Sequence, residues 1–458
     1  MSLSLWSLAG FIVAVCVLVT VHEFGHYWVA RRLGFKVLRF SVGFGRPLWM
    51  RRGRESGTEY VLAAVPLGGY VKLLDEREAP VPAAELPQSF TRRPHWQRIA
   101  VLLAGPAANV LFAILLLAGI LVATGTAELR PLQGTPLANS PAARAGVLAG
   151  DEVLAVNGSA VRSQSEVCVG LFEGLASRAP LTLTLRGADG AQRVARFSFA
   201  SAAERRALTD PASSPDCLGL QVRQLPTPAV LGKVTPGGPA AQAGLRAGDE
   251  IVGINGEPVH DYQQLVAAVR AHPGDAIAVQ YRREGRSEST RVQVGTAVRD
   301  GARIGLIQAS SLQAPQYPPG VEQRTRPGPL AALRIASVEA WGVTRFQVIM
   351  LWGMLTGDVS EKNLGGPLAI AAYAGDSAHA GPGVFLVFLV QISLMLGFMN
   401  LLPIPILDGG QVLMQSVEWL KGSPLSERVQ LAGQQLGIAL VALLLCVALY
   451  NDILRQFG

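Results

Sequence analysis

Residues of the types that bind and activate zinc lie within five positions near the start of the sequence. His22, Glu23 and His26 form an H-E-x-x-H motif. Residues four apart lie on the same face of a helix, so both imidazoles can reach one metal ion. Glu23 lies beside them, where a hydrolytic zinc site needs a general base for water. The motif therefore predicts a metal-dependent hydrolase.

The motif lies at the end of an apolar stretch. No charged residue precedes His22, and Leu, Val, Ala and Ile dominate this part of the sequence. Ionisable side chains in a membrane span are costly and are usually functional, and a metal ion would give them a partner. A chance cluster of surface His and Glu on a soluble helix is the alternative, and the apolar surroundings argue against it.

The composition is that of a membrane protein with large water-soluble parts. Half of the 458 residues are hydrophobic, 16% are charged and the net charge is +7, and the mean hydropathy is +0.32. These values exclude an ordinary soluble protein, and the modest positive charge does not favour nucleic-acid binding. Four stretches have the length and apolar character of membrane spans: 5–30, 99–127, 384–402 and 431–450.

Basic residues between the first two spans predict the orientation. Residues 31–98 carry 13 Lys and Arg but six Asp and Glu. Because basic residues are retained on the cytoplasmic side, we expect this segment in the cytoplasm and residues 128–383 on the outer side. The motif then lies in the cytoplasmic half of the bilayer.

The third span ends on the same side as the motif and carries a candidate third ligand there. Asp408 follows the charge-free stretch 377–407, after two prolines and before two glycines. These residues interrupt the helix, so the backbone can bring the carboxylate back to the metal. The alternative is that Asp408 only caps the following helix. The remaining histidines are poorer ligand candidates. His95 lies at the membrane edge, and three others lie in the outer region, away from the motif: His260, His272 and His379.

The outer region contains an internal repeat with an offset of 98 residues. Segment 140–158 recurs as 238–256, and each copy has a short helix, a Gly-Asp turn, an apolar strand and an Asn-Gly turn. A period of this length indicates duplicated domains. Both copies resemble PDZ domains of bacterial envelope proteases, the second more fully than the first. Such domains bind peptides by adding a strand to a sheet edge, and a role as a size filter or spacer is the alternative.

Three other segments carry structural predictions. Cys168 and Cys217 lie in the outer region, where they form either a disulfide or two buried thiols. Segment 60–74 predicts two short strands around a Pro/Gly turn. Segment 310–328 predicts a linker. Segment 329–355 predicts a helix on the outer membrane surface, since charges interrupt its apolar character, and a soluble amphipathic helix is the alternative.

Four features occur in the order found in the site-2 protease family of intramembrane zinc metalloproteases: the H-E-x-x-H motif, Pro-Leu-Gly-Gly-Tyr-Val-Lys at 66–72, the duplicated PDZ-like domain and the Asn-Leu-Leu-Pro to Asp-Gly-Gly segment at 400–410. The sequence resembles this family over essentially its whole length, and it is most similar to bacterial members with tandem PDZ domains. The resemblance implies a multi-pass α-helical membrane protein with four spans, two α+β PDZ domains and a small membrane-associated β-hairpin region.

The resemblance also implies roles for individual residues. One Zn²⁺ ion would be bound by His22, His26 and Asp408, and Glu23 would activate water and protonate the leaving amine. Asn400 would hydrogen-bond the substrate backbone. The other residues expected to contact the substrate are Pro403, Gly68, Gly69 and Tyr70.

The implied substrate is a single-span transmembrane protein in the bacterial inner membrane. It would be an anti-sigma factor already trimmed on its outer side, with signal-peptide remnants as a second class, and the PDZ pair would exclude untrimmed proteins. A catalytically inactive, membrane-anchored PDZ adaptor is the alternative, which the complete set of ligands and Glu23 argues against. A zinc transporter would need a polar path through the second and fourth spans, where the few polar residues are isolated.

These inferences predict the following segments: 1–34 with the first span and the zinc motif, 35–98 as a cytoplasmic loop with strands, 99–127 as the second span, 128–213 and 214–300 as PDZ domains, 301–383 as linker and interfacial helix, 384–410 as the third span with the Asp ligand, 411–430 as a cytoplasmic connection, and 431–458 with the fourth span.

Overall fold

The computed structural model describes residues 5–77, 79–178, 180–210, 216–299 and 302–457. The helices are α1 Leu5–Arg32, α2 His95–Thr124, α3 Pro141–Arg144, α4 Gln164–Ala176, α5 Ala202–Ala207, α6 Pro239–Gln242, α7 Tyr262–Arg270, α8 Pro329–Thr356, α9 Pro367–Ala380, α10 Pro382–Asn400, α11 Asp408–Lys421 and α12 Glu427–Phe457. The strands are β1 Val37–Arg52, β2 Glu59–Leu73, β3 Thr126–Leu129, β4 Glu152–Val156, β5 Ser159–Ala160, β6 Leu181–Arg186, β7 Gln192–Phe197, β8 Leu231–Val234, β9 Glu250–Ile254, β10 Glu257–Pro258, β11 Ala276–Arg283, β12 Arg286–Gln293, β13 Gly295–Arg299, β14 Ala302–Leu306, β15 Ala309–Ser311 and β16 Glu322–Thr325.

Four helices are long and apolar enough to cross a membrane. They are Ser7–Arg32 of α1, the whole of α2, the whole of α10 and Glu427–Leu454 of α12. Their number and order agree with the four predicted spans. Helices α8 and α9, which lie in the chain between the repeat domains and the third of these helices, do not meet the same criterion of length and composition.

The chain divides into two compact units. The first comprises Met1–Gly125, Arg326–Val348 and Leu364–Gly458, and it holds the four apolar helices. The second comprises Thr126–Thr325 and Ile349–Asn363, and it holds both repeats.

Small residues let the helices of the first unit approach closely. A Cβ atom on Gly25 would lie 2.3 Å from the carbonyl oxygen of Ala104, so α1 and α2 meet backbone to backbone. The first part of α8 packs against α2 through buried Ala332, Ala336 and Ala340, whose spacing of four places them on one face. The location of α8 at the membrane surface stays a prediction.

Strands β1 and β2, which follow α1 in the chain, form a small sheet that packs against α1. Strand β1 bends at Gly43, whose φ of 92° favours glycine. Its residues 39–42 have partners on both sides, Glu59–Leu62 and residues 69–72, which are the two halves of β2. The predicted short strands around the Pro/Gly turn are these halves. Large apolar side chains near the bends are exposed, as suits contact with lipid: Phe44, Leu48, Trp49, Met50, Leu62 and Val65.

Each repeat in the second unit folds around its own hydrophobic core. The first has a sheet of order β5-β4-β6-β7 and the second a sheet of order β10-β9-β11-β12. The Gly-Asp turns use the same contact, since Asp151 and Asp249 each accept a hydrogen bond from the backbone three residues earlier. Burial raises the pKa of Asp249, but hydrogen bonds from Arg283 and the Arg246 amide lower it by more. The pKa of this carboxyl therefore lies below its usual range.

Strand pairing links residues on the two sides of each predicted boundary of the repeat domains. The Gly134 amide donates to the Gln221 carbonyl at 2.7 Å, so the first repeat domain continues past 213. Strand β15 pairs with β8, so the second continues past 300. Strand β16 pairs with β3, and part of the predicted linker is therefore ordered in a ribbon. These pairings join distant residues, which local sequence patterns do not reveal.

The two cysteines of the first repeat domain are bonded to each other. Cys168 on α4 and Cys217 form a disulfide with a Cα–Cα distance of 4.8 Å. Of the two alternatives that the sequence leaves open, the structure therefore contains the disulfide. Cys16 and Cys446 are free thiols.

Candidate metal centre

Helix α1 and the start of α11 bring three potential metal ligands together. The Asp408 Oδ2 atom lies 3.1 Å from His22 Nε2 and 3.5 Å from His26 Nε2. The two Nε2 atoms are 3.2 Å apart. Within the described residues this is the one group of three or more His, Cys, Asp or Glu side chains with a geometry suited to a metal ion. The structure thus assembles the predicted ligand set.

A hydrogen bond at Nδ1 of His26 fixes the protonation state of its other ring nitrogen, Nε2. Its Nδ1 lies 2.7 Å from the backbone carbonyl oxygen of Val101, an acceptor, so Nδ1 carries the proton and Nε2 keeps its lone pair for a metal. Gly105 makes room for the ring, because a Cβ atom there would lie 2.3 Å from His26 Nε2. Helix α2 therefore both orients and accommodates this ligand.

The other ring nitrogen of His22, Nδ1, faces Asn109, one of the few isolated polar residues of the second span. Asn109 is fully buried on α2, and its side-chain nitrogen lies 3.2 Å from His22 Nδ1. Its Oδ1 atom has no hydrogen-bond partner in the described part of the chain. A 180° rotation of the amide lets Oδ1 accept the Nδ1 proton, which leaves Nε2 of His22 free for a metal. A buried asparagine in a predicted span was the available signal.

Two glycines allow Asp408 to reach the histidines. A Cβ atom on Gly409 would lie 2.2 Å from the Leu401 carbonyl oxygen, and one on Gly410 would lie 2.1 Å from that of Ile404. Helix α11 can therefore begin directly against the turn that ends α10. Leu407 occupies the N-cap position and Asp408 the first turn. Its carboxylate is directed at the histidines, which favours the predicted role of ligand over that of cap.

Glu23 lies next to the second half of β2, which contains Gly69. A Cβ atom on Gly69 would lie 2.9 Å from Glu23 Cγ, so only glycine allows this approach. Tyr70 is placed elsewhere: its ring stacks on Phe44 and its hydroxyl lies 3.3 Å from an Arg39 nitrogen. The structure therefore brings Gly69 to Glu23, the predicted general base, and orients Tyr70 away from it, as the alternation of side chains along a strand requires.

Of the remaining predicted substrate contacts, Asn400 and Pro403 lie shortly before Asp408 in the chain, and Gly68 lies in β2. Asn400 is the last residue of α10 and is partly buried, and Pro403 is exposed in the turn before α11. Gly68 lies beside Phe44 and has a φ of 155°. Their roles towards a substrate stay predictions.

A buried polar network anchors the helix that begins with Asp408. Glu418 is 4% exposed and accepts hydrogen bonds from the Leu425 amide at 3.0 Å and from Gln415 Nε2 at 3.1 Å. Arg98 of α2 donates to Gln415 at 2.9 Å. A buried charge is tolerated when it is paired and hydrogen-bonded. The network therefore ties α11 to the helix that supports both histidines, and sequence reasoning did not identify it.

The donor set fits zinc. Two imidazole nitrogens and one carboxylate oxygen are the ligands of many catalytic zinc sites, in which the fourth position stays open. The Asp408 Oδ2 atom is buried and makes no hydrogen bond among the described residues, although two imidazole nitrogens face it. A cation between these three atoms would satisfy all of them.

We expect Asn109→Leu to weaken zinc binding about 10- to 100-fold, the usual effect of removing a partner of a metal-bound histidine. Leucine preserves the volume of the side chain but cannot accept the His22 proton. The rate of zinc loss to a chelator would measure the effect. Thr124→Val is the matched control, since it removes a polar group from the C-terminal end of the same helix, far along the chain from Asn109. Equal rates of zinc loss in the two variants would contradict the assigned role.

Comparisons with known proteins agree with this site. The model of peptidase family M50 matches residues 10–444. The regulator of sigma-E protease RseP of Escherichia coli K12 is 40% identical over 98% of this chain and 99% of its own. Candidate zinc metalloproteases of Neisseria meningitidis (36%, covering 99% and 100%) and Ralstonia nicotianae (40%, covering 98% and 98%) are also similar.

A solved PDZ domain of an SdrC-like protein from Listeria monocytogenes matches 20% of this chain and 92% of its own length, at 20% identity. Its TM-score of 0.17 is too low to support an argument. The match of the M50 model and the identity to full-length relatives carry the assignment instead. The chain belongs to peptidase family M50, the site-2 proteases, and is a zinc metalloprotease.

Proposed function

We propose that this protein cleaves the transmembrane segment of single-span proteins within the bacterial inner membrane. One observation carries the proposal: His22, Glu23 and His26 lie on a helix apolar enough to span a bilayer, and Asp408 reaches them from the turn that follows another such helix. A strand half beside Glu23 forms the edge of a small sheet. A site in this position meets substrates that are themselves in the membrane.

The sheet edge supplies what a transmembrane substrate needs in order to be cut. A helical peptide bond is shielded by its neighbouring turns, so the substrate must unwind locally, and its freed amides then need partners in an apolar medium. Residues 69–73 of β2 pair with β1 on one side. A substrate strand added on their other side would gain backbone hydrogen bonds. Gly69 would hold that strand close to Glu23.

The chemistry follows from the residues of the centre. His22, His26 and Asp408 would hold the zinc ion, which when bound polarises the scissile carbonyl and makes water more acidic. Glu23 takes a proton from the attacking water and gives it to the leaving amine. Asn400 hydrogen-bonds the substrate backbone and keeps it extended. Asn109 and the Val101 carbonyl hold the imidazoles in the tautomer that binds metal.

Two features support an orientation with the repeat domains in the periplasm. Basic residues are concentrated in 31–98, which favours the cytoplasmic side for that segment. The Cys168–Cys217 disulfide suits an oxidising compartment. In this orientation the two repeat domains lie in the periplasm. As tandem PDZ domains, they would admit substrates that have already been trimmed on their outer side. An anti-sigma factor trimmed in this way is the leading substrate, and signal-peptide remnants are a second class.

We expect the purified protein in liposomes to cleave a single-span protein with a short outer segment faster than the same protein with a folded outer domain. Cleavage should also accelerate when Gly replaces Ala near the middle of the substrate helix, because each Gly lowers helix stability by about 1 kcal/mol. Product masses would give the cleaved bond. Cleavage only in the outer segment of the substrate would overturn the proposal. Equal cleavage rates for the substrate helices with Ala and with Gly would do so as well.

A further inference from the structure

The disulfide of the first repeat domain lies at the edge where a peptide would add as a strand. Residues 219–223 pair on one side with residues 132–137, through bonds such as that from the Arg223 amide to the Leu132 carbonyl at 2.8 Å. Backbone groups alternate in direction along a strand, so the amide and carbonyl of Val222 point to the opposite side. Cys217, two residues before this segment, is bonded to Cys168 of α4.

The cross-link leaves no space for an added strand at this end of the edge. A pairing strand lies 4.7–4.9 Å from its neighbour, and its side chains need further room below the helix. The Cα atoms of Cys168 on α4 and Cys217 are only 4.8 Å apart. The Gln164 side chain fills the adjacent space, with its nitrogen 3.6 Å from Cys217 Sγ and its oxygen accepting from Gln133 at 2.8 Å.

The backbone beside the cross-link is held in an unusual conformation. Cys217, Leu218 and Gly219 are consecutive and have φ values of 52°, 56° and 87°. Residues with side chains disfavour this region, so the first two positions are strained. Leu218 is buried in the core, and the disulfide holds the residue before it. Breaking the cross-link frees this turn to extend the strand edge.

The second repeat domain serves as an internal comparison. The capping residues of α4 and α7, Ser163 and Asp261, lie 98 positions apart, which aligns Cys168 with Val266. The Leu137-to-Gly219 and Thr235-to-Gln308 hydrogen bonds align Cys217 with Leu306 in the same way. The second domain therefore has two aliphatic side chains where the first has the covalent link, and its edge is not cross-linked.

We propose that the first repeat domain is a peptide-docking site that opens only when the Cys168–Cys217 disulfide is reduced. The partner is an extended peptide segment that pairs with the edge at Leu220–Val222. A dithiol reductase supplies two electrons and two protons: its thiols become a disulfide, and both cysteines become thiols. The proposal rests on the proposed function of these domains in admitting substrates, and on the peptide binding that their resemblance to PDZ domains implies. It makes substrate admission sensitive to the redox state of the envelope.

Peptide binding by the full-length protein in detergent tests this. The probe is a pool of fluorescent decapeptides with free C-termini ending in Val, Leu or Phe. We expect a component of binding that appears on reduction and is lost on reoxidation. The double variant Cys168→Ser, Cys217→Ser should bind without reductant, whereas Cys16→Ser, Cys446→Ser should behave as the unmodified protein, because those thiols are free.

Val222→Pro assigns this component to the edge, because it removes an amide that is not used for pairing within the domain. The component should disappear in this variant. Equal binding before and after reduction, or reduction-dependent binding that survives Val222→Pro, would overturn the proposal. So would loss of amide protection in β4 and β6 on reduction without peptide binding, since the disulfide would then only hold the fold together. No step measures cleavage, so the result is independent of protease activity.

Discussion

Replacing Glu23 with Gln should abolish cleavage of a single-span substrate while zinc remains bound. Glutamine has nearly the same shape, but its amide cannot take a proton from water. Loss of a general base usually costs about 10²- to 10⁴-fold in rate, and Glu23 is expected to act in both proton transfers. None of the three metal ligands changes. Single-turnover cleavage in liposomes and the zinc content of the purified protein would give the two readouts.

Glu427→Gln is the matched control for this experiment. Glu427 is an exposed acid at the start of α12, so the same loss of charge occurs away from the centre. Its activity should equal that of the unmodified protein. The Glu23→Gln variant should also retain uncut substrates in membranes, which would identify them by mass spectrometry. Undiminished cleavage by purified Glu23→Gln protein would refute the assignment of the base.

Replacing Asp408 with Ala should remove zinc from the protein. The variant keeps two imidazoles but loses the only anionic ligand, whose Oδ2 atom faces both of them. A change to a ligand's partner already weakens binding 10- to 100-fold, so loss of the ligand itself should cost about 100-fold or more. Zinc content after dialysis against a weak chelator measures this directly, and cleavage should fall in proportion.

Asp376→Ala provides the comparison for Asp408→Ala. Asp376 is an exposed carboxylate on α9 in the same unit. Its removal should leave zinc content and activity unchanged. Full zinc occupancy in Asp408→Ala would show that Asp408 only begins α11, the role that the sequence left open. A folded variant without zinc would exclude that reading, and circular dichroism would establish that its helices persist.

The ligands could be predicted from sequence because their signals are local or topological. The spacing of His22 and His26 defines one helix face within a single turn. The prediction of Asp408 as a ligand required only that successive spans alternate in direction. This alternation places the end of the third span on the same side of the membrane as the motif. The break in the chain before it was visible in its prolines and glycines. These features do not depend on how the helices pack.

The supporting residues could not be predicted because their roles arise from packing between distant segments. Asn109 is one amide in an apolar helix, and only the approach of α1 and α2 at Gly25 brings it to His22. Glu418 resembles any acid of an amphipathic helix until its partners on other helices, Gln430 of α12 and Arg98 of α2, are known. Strand pairing across the predicted domain boundaries was not visible for the same reason, because the paired strands of each repeat domain are separated by long stretches of sequence.

The ligands of the centre come from opposite ends of the chain, and this separation constrains how the protease is made. His22 and His26 emerge from the ribosome first, whereas Asp408 follows after more than three quarters of the sequence. At 5–20 residues per second, the interval is on the order of 20 to 80 seconds. During that time the nascent chain has no complete centre, and its first span cannot cut the membrane proteins inserted beside it. Synthesis of the third apolar helix and the turn after it thus acts as the final step of activation.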